Sequence, residues 1–174
     1  MPEWLGPLEL VGDRWVIGDS KRAGGSFLVL AVEGMEHHES GAPEPRAVVP
    51  WHRFVELNVT AAQWAWMATP AMGVLGAGSA MNVLGRRACS VQAVVRHPYE
   101  DWSANYTHHK RPYEYFRIAL VSELFRKTVE VKAAHRLGDP EWLGAAVARL
   151  ALVRDRSRGS VARSVRETID DLGT

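Results

Sequence analysis

The sequence predicts an α+β protein. An antiparallel β-rich unit, barrel or sheet, spans residues 1–110, and a three-helix, helix-turn-helix-like unit spans residues 111–174. Three observations predict it. The first part consists of short apolar or alternating runs bounded by Gly, Pro and Asp, which is how strands and turns read. From Tyr113 the apolar spacing changes to every three or four residues, the period of a helix. Asp139-Pro140-Glu141 then supplies an N-cap, a proline at the first helical position and an acid in the first turn.

Leu8 and Leu10, then Trp15-Val16-Ile17, flank a Gly12-Asp13 turn and predict a hairpin. Ser20 to Gly25 is a basic, glycine-containing loop. Phe27 to Val32 is a continuous apolar run, expected to be covered on both faces. Glu33 to Pro45 reads as an acidic loop that leaves His37 and His38 in solvent. Ala47 to Val49 and Phe54 to Val59 are the next strands; in the second, Val55, Leu57 and Val59 oppose Phe54, Glu56 and Asn58. Thr60 is placed to cap a short helix over residues 61–68, stopped by Pro70. Residues 72–87 are rich in glycine and small side chains and carry no clear period. Ser90 to Arg96 reads as a strand with Val91, Ala93 and Val95 on one side, and His97 to Pro112 as a long loop.

Phe116, Leu120 and Leu124, joined by Val121 and Phe125, predict a helix from Tyr113 to about Ala134, with Gly138 as the terminator. Trp142, Leu143, Ala146, Val147, Leu150 and Ala151 form the apolar face of the next helix. Arg154 to Arg158 is a charged turn. Gly159 or Ser160 opens the last helix, whose stripe is Val161, Val165, Ile169 and Leu172.

The 174 residues are 47% hydrophobic and 24% charged, an ordinary globular balance, and the chain is long enough to bury a core without staples. The formal net charge of +1 excludes a polycation. Residues 1–110 hold 9 Lys/Arg against 11 Asp/Glu, and residues 111–174 hold 12 against 9. The basic end is therefore the helical one. A single cysteine, Cys89, excludes an internal disulfide and a thiolate-rich zinc site, and a reducing cytoplasm is the expected compartment. Arg86 and Arg87 could activate that thiol, although a packed, inert thiol is the simpler reading. The start Met1-Pro2-Glu3-Trp4 does not read as a signal peptide, and no uninterrupted apolar stretch approaches the ~20 residues of a membrane helix.

If Val161, Val165 and Ile169 bury the last helix, Ser160, Arg163, Ser164 and Arg166 fall on its exposed side. These side chains reach phosphates and guanine edges. Arg154, Arg156 and Arg158 in the turn would lie near the backbone of a bound duplex. Ala148-Arg149-Leu150, Val153, Arg158 to Arg166 and Asp171-Leu172-Gly173 together resemble the C-terminal helix-turn-helix module of actinobacterial DNA-binding proteins. The resemblance covers about the last 35 residues and implies that Ser160 to Arg166 is the recognition helix. The chain departs from that pattern at Leu152, where a turn glycine is usual, and in the length of the Arg154–Ser157 turn. The leading expectation is a cytoplasmic DNA-binding protein, a transcriptional regulator that acts as a homodimer on double-stranded DNA, with no cofactor and no membrane contact. An ordinary solvated helical hairpin is the competing reading of the same segment.

A second constellation is His97, Glu100 and Asp101, followed by His108 and His109. Imidazole and carboxylate are the ligands of zinc or manganese, so a metal-dependent hydrolase or nuclease is the alternative. No recognised metal spacing is present, and adjacent histidines point apart in an extended chain. A polar loop whose Tyr99, Trp102 and Tyr106 pack on the sheet is the plainer reading. A non-catalytic protein-interaction module is a third possibility. No residue set fixes a reaction. Ser20 to Gly25 is not a phosphate-binding loop, and Gly73, Gly76 and Gly78 are not a dinucleotide fingerprint. The seven tryptophans are expected in the core.

Overall fold

The computed structural model describes residues 3–69, 72, 85 and 88–173. Among the described residues, nine strands and three α-helices carry the fold. Six strands form an antiparallel meander: β1 (Trp4–Leu5), β2 (Leu8–Val11), β3 (Arg14–Ile17), β4 (Ser26–Leu30), β5 (Gly34–Glu39) and β6 (Ala47–Pro50). Three more form a second antiparallel sheet: β7 (Phe54–Thr60), β8 (Ser90–Val95) and β9 (Glu100–Asn105). The helices follow: α1 (Tyr115–Glu130), α2 (Pro140–Ala151) and α3 (Arg158–Leu172). The fold is the mixed α+β architecture expected from the sequence. No helix among the described residues is long and apolar enough to cross a membrane.

Several elements correct the sequence reading. The expected loop over residues 33–45 contains β5, which pairs with β4 through Leu28↔His37 and Leu30↔Met35. The tight reversal before it is closed by Ala31 and Gly34, each donating its N–H to the other's carbonyl. Val32, expected inside β4, sits in that reversal and is 73% exposed. His37 and His38 are therefore strand residues, each partly buried.

In β7 a bulge between Phe54 and Glu56 breaks the alternation. The extra residue turns Phe54 to the same buried side as Leu57 and Val59 and leaves Val55 exposed. Thr60 caps no helix. It ends β7, and its hydroxyl meets Ser90, while a 3₁₀ turn occupies Ala65–Ala68. Pro70 lies outside the described residues, as do 73–84, 86 and 87. β9 lies within the expected 97–112 loop and pairs with β8 from Val95↔Glu100 to Ser90↔Asn105.

α1 ends at Glu130 rather than near Ala134. Lys132 takes a left-handed conformation (φ 62), Ala133 N–H donates to Thr128 and Lys132 N–H to Val129, which is a Schellman stop. Gly138 has another role. It lies in the 3₁₀ turn Ala134–Gly138, where a Cβ would run into the Ala31 carbonyl and the Trp51 indole nitrogen. Only glycine lets this turn approach the sheet so closely. Asp139 caps α2 as expected, accepting from the N–H groups of Glu141 (3.0 Å) and Trp142 (3.2 Å). Ser157, rather than Gly159 or Ser160, caps α3 by accepting from Ser160 N–H.

The two expected units share one core. Leu28 and Met35 of the first sheet, Leu57 of the second and Leu124, Leu143 and Val165 of the helices all belong to it. Trp15 donates to the Pro140 carbonyl (3.2 Å) and Trp51 to the Ala31 carbonyl (2.8 Å), next to Gly138. Trp142 ties α2 to the end of α3 by donating to Gly173 (3.0 Å). Each indole buries a large ring and has its N–H satisfied, the condition under which tryptophan stabilises a core. The helices thus close the β shell at the Leu30 end of β4. Trp4, Trp64 and Trp66 depart from the expectation of burial and are 48, 50 and 56% exposed.

At the other end of β4 the sheets are joined by the segment after β9. Ser26 and Thr107 bond each other twice: Thr107 N–H donates to the Ser26 carbonyl, and Ser26 N–H to the Thr107 hydroxyl. The Ser26 hydroxyl donates to the Asn105 carbonyl, and Asp19 N–H to the Thr107 carbonyl.

Candidate functional site

The sequence pointed first to the arginine end of the helical unit. Residues 152–157 join α2 to α3, a longer connection than the three or four residues of a tight helix-turn-helix. Arg154, Arg156, Arg158, Arg163 and Arg166 are all exposed. Arg156 reaches Glu114 at 3.4 Å. For Arg154, Arg158, Arg163 and Arg166, no carboxylate lies within 4.0 Å among the described residues. Asp155 sits among them with its carboxyl held below the usual range, chiefly because it accepts from the Ser157 N–H and then from the Ser157 hydroxyl, with the Arg163 charge a smaller contribution.

Ser160 does not lie on the exposed side. It is 8% exposed and belongs to a buried face with Val165, Thr168 and Ile169, while Val161 and Leu172 pack at its margin. Ser164 is half-buried, and its carbonyl accepts from the Thr168 hydroxyl. The exposed face of α3 is basic near its start, at Arg158, Arg163 and Arg166, and acidic beyond, at Glu167, Asp170 and Asp171.

The five candidate metal ligands do not converge. His97, Glu100 and Asp101 lie at the start of β9, where Glu100 pairs with Arg53 at 3.0 Å. His108 and His109 lie past its other end, about 16 Å of strand away at 3.3 Å per residue. Among the described residues no group of three His, Cys, Asp or Glu could hold a metal ion.

His108 and His109 instead form a buried hydrogen-bonded cluster. The His108 ring lies between the carbonyls of Ala62 and His109 and stacks on Tyr113 with centroids 3.9 Å apart. His109 Nε2 meets Glu9 Oε2 at 2.8 Å, and its Nδ1 meets the Tyr113 hydroxyl at 2.6 Å. Burial first, then the Arg111 charge, lowers the His109 pKa to about 4, against the opposing pull of Glu9. At neutral pH the ring is therefore uncharged. Its Nε2–H donates to Glu9, and Nδ1 accepts from Tyr113, whose oxygen also accepts from His109 N–H. Arg111 completes the cluster at 2.8 Å from Glu9, with its guanidinium over the Trp4 ring. Arg111 and Glu9 are 102 residues apart in sequence, so no local motif announces this knot. It fastens the 106–113 segment to β2. No reacting centre is evident within it, because the Tyr113 hydroxyl is buried and held by His109.

The third region was not singled out from the sequence. Where β5 and β6 splay from β9, an open cleft of about 940 Å³ forms the mouth of the β shell. The register explains its character. Along the inner face the cross-strand rows run Leu30–Met35–Val49, then Leu28–His37–Ala47, then Ser26–Glu39. The first row is buried and apolar, and the last is polar and opens into the cleft.

Arg22 stands at the rim without a carboxylate within 4.0 Å among the described residues, and Arg46 pairs with Glu39 at 2.9 Å. His37 lines the wall, and its Nε2 is buried without a hydrogen-bond partner. Burial lowers the His37 pKa, the Asn105 carbonyl beside the ring opposes this, and the Arg46 charge adds to the lowering. Cys89 also borders the cleft, but it is buried and its thiol is pushed up to about 11 by burial, so it is the inert thiol of the simpler reading. The sequence places Arg22 in a basic loop and His37 in an acidic one. The only sequence signal for them was the apolar run of β4 changing to polar side chains at Ser26.

No known family model matches the chain, and neither a curated protein nor a solved structure matches it.

Proposed function

We propose that the protein binds double-stranded DNA through the arginine end of its helical unit. The observation that carries the reading is the set Arg154, Arg158, Arg163 and Arg166, exposed at the α2–α3 connection and the start of α3, with no carboxylate within 4.0 Å among the described residues. Guanidinium groups left free of internal ion pairs are available for phosphates. The acids of α3 lie toward its far end, away from a duplex approached by its first turns. Arg156 contributes once its exposed pair with Glu114 opens. Ser164 is a marginal contact, and Ser160 is withdrawn from the contact set because it is buried.

On this reading the contacts are chiefly to the DNA backbone, and sequence preference requires a second copy, because one short helix reads few bases. A homodimeric transcriptional regulator in the cytoplasm is the biological form of the proposal.

The test is fluorescence anisotropy of a labelled duplex titrated with salt. Each phosphate neutralised contributes about −0.9 to the slope of log K against log salt, so the four unpaired arginines predict about −3.6, and Arg156 as a fifth contact about −4.5. A folded Arg163→Ala/Arg166→Ala variant should lose about two units of that slope. Absence of binding by the folded wild-type chain at low salt would overturn the proposal, as would an unchanged slope in the double variant.

A further inference from the structure

We infer that the mouth of the β shell is a binding site for a small organic anion, an organic phosphate or a carboxylate, held by Arg22 and Arg46 with its organic body against Trp102. The inference uses residues of the two sheets and of the loops and turn beside them, none of them in the helical unit, and is independent of DNA contact by the helices.

Position is the first argument. The mouths of β barrels and shells are recurrent ligand sites, and about 940 Å³ lies within the size range of small-molecule sites. That volume far exceeds a bare phosphate, so the occupant carries an organic body. The cleft provides an apolar wall for it in Trp102, with Ala47, Ala65 and Ala68 around it.

Charge is the second. Arg22 and Arg46 face the cleft against one carboxylate, Glu39, and the Arg46–Glu39 pair is exposed, with side chains 68 and 56% accessible. An exposed pair of this kind contributes little stability and opens readily. Among the described residues the Arg22 guanidinium thus has no ion pair, and that of Arg46 is exchangeable. Arginine recognises phosphate and carboxylate through a planar fork of donors, which favours an oxyanion over a neutral ligand.

The third argument is the polarity of the inner strand face. Inward positions of a closed β shell are normally filled with apolar side chains. Here Ser26, His37 and Glu39 take inward positions, and His37 keeps a buried Nε2 without a partner. A buried polar atom left unbonded costs stability, and leucine or valine at position 37 would avoid that cost. A polar lining of this kind suits ligand recognition better than packing.

The test is an NMR titration of the full chain at low salt with phenyl phosphate and, separately, with benzoate. Saturable shifts confined to the amides of Gly24–Ser26, His37 and Asn105–Thr107 are expected. Whichever probe binds tighter identifies phosphate or carboxylate as the preferred group. An Arg22→Ala/Arg46→Ala variant, both sites being exposed, should fold normally and bind at least about tenfold more weakly, the loss of about one charge-assisted contact. It should keep the DNA affinity of the wild type, so failure here is separable from failure of DNA binding. Shifts centred elsewhere, no saturable shift by ~20 mM ligand, roughly twenty times a weak Kd of about 1 mM, or equal affinity in the folded double variant would overturn the inference.

Discussion

At the Leu30–Met35–Val49 end of the first sheet, every inward side chain is apolar and the helices close over it. Toward Ser26 and Glu39, at the other end of β4 and β5, the inward side chains are polar and open into a cleft. The strands are the same and the backbone pairing is continuous, so secondary structure does not cause the difference. What differs is what the inward positions meet: packed helices at one end, water or a ligand at the other. The contrast indicates that the helical unit is a structural plug as well as a surface, and that stability is concentrated at the closed end.

That contrast can be broken at the closed end first. Trp51→Ala removes a buried ring and leaves the Ala31 carbonyl without its indole donor. A loss of about 3–5 kcal/mol is expected in denaturant unfolding. A loss below ~1 kcal/mol, the range of a tolerated surface change, would mean that the plug is not where stability resides.

A pH titration of stability sharpens the comparison next, because the His109 knot fastens the segment that joins the two sheets. The folded-state pKa of His109 is about 4, below its ordinary value of 6.5. The folded chain therefore binds fewer protons than the unfolded one across that window. The His109 contribution is fully present above 6.5 and is lost as pH falls through 6.5 toward 4. His109→Gln should be less stable at pH 7 and should show a flatter profile between those values. An unchanged profile would remove His109 as the cause.

A smaller effect is expected at Asp139, where α2 starts against the plug. Asp139→Ala should cost about 1 kcal/mol, the usual cost of a lost N-cap, read as a lower midpoint with unchanged slope. The smallest belongs to the mouth. Arg22→Ala should change stability by no more than about 0.5 kcal/mol, the range for exposed positions outside a packing feature. A larger loss there would erase the distinction between the two ends.

The same physics decided what the sequence disclosed. The closed end was legible because Trp15, Leu28, Leu120, Leu124 and Leu143 obey simple periods and are buried. β5 was hidden because its inward His37 and Glu39 face the mouth, so the strand lacks the apolar alternation that marks a covered one. β9 was hidden for a related reason. It is an edge strand whose Glu100, Asp101, Ser103 and Asn105 are exposed. The bulge at Phe54 rotated one residue in a way that spacing does not record.

In α3 the buried face includes Ser160 and Thr168, which a purely apolar stripe misses. Thr168 is tolerated there because its hydroxyl donates to the carbonyl four residues back. The basic character of the helical unit was visible in composition, whereas the absence of ion pairs, among the described residues, at Arg154, Arg158, Arg163 and Arg166 depends on geometry. Neither the His109 knot nor the cleft was legible, because each gathers residues from strands and loops far apart in the chain.

The tryptophans divide in the same way as the shell. Trp15 and Trp51 are buried where helical turns meet the strands and Trp142 between α2 and the end of α3, Trp102 is half-buried, and Trp4, Trp64 and Trp66 stand in solvent. The native protein therefore carries two populations of emitters. A soluble quencher should reach the exposed rings at once and the joint rings only when the helical plug loosens. The intrinsic fluorescence of the chain is thus a built-in gauge of whether the plug opens before the sheets do.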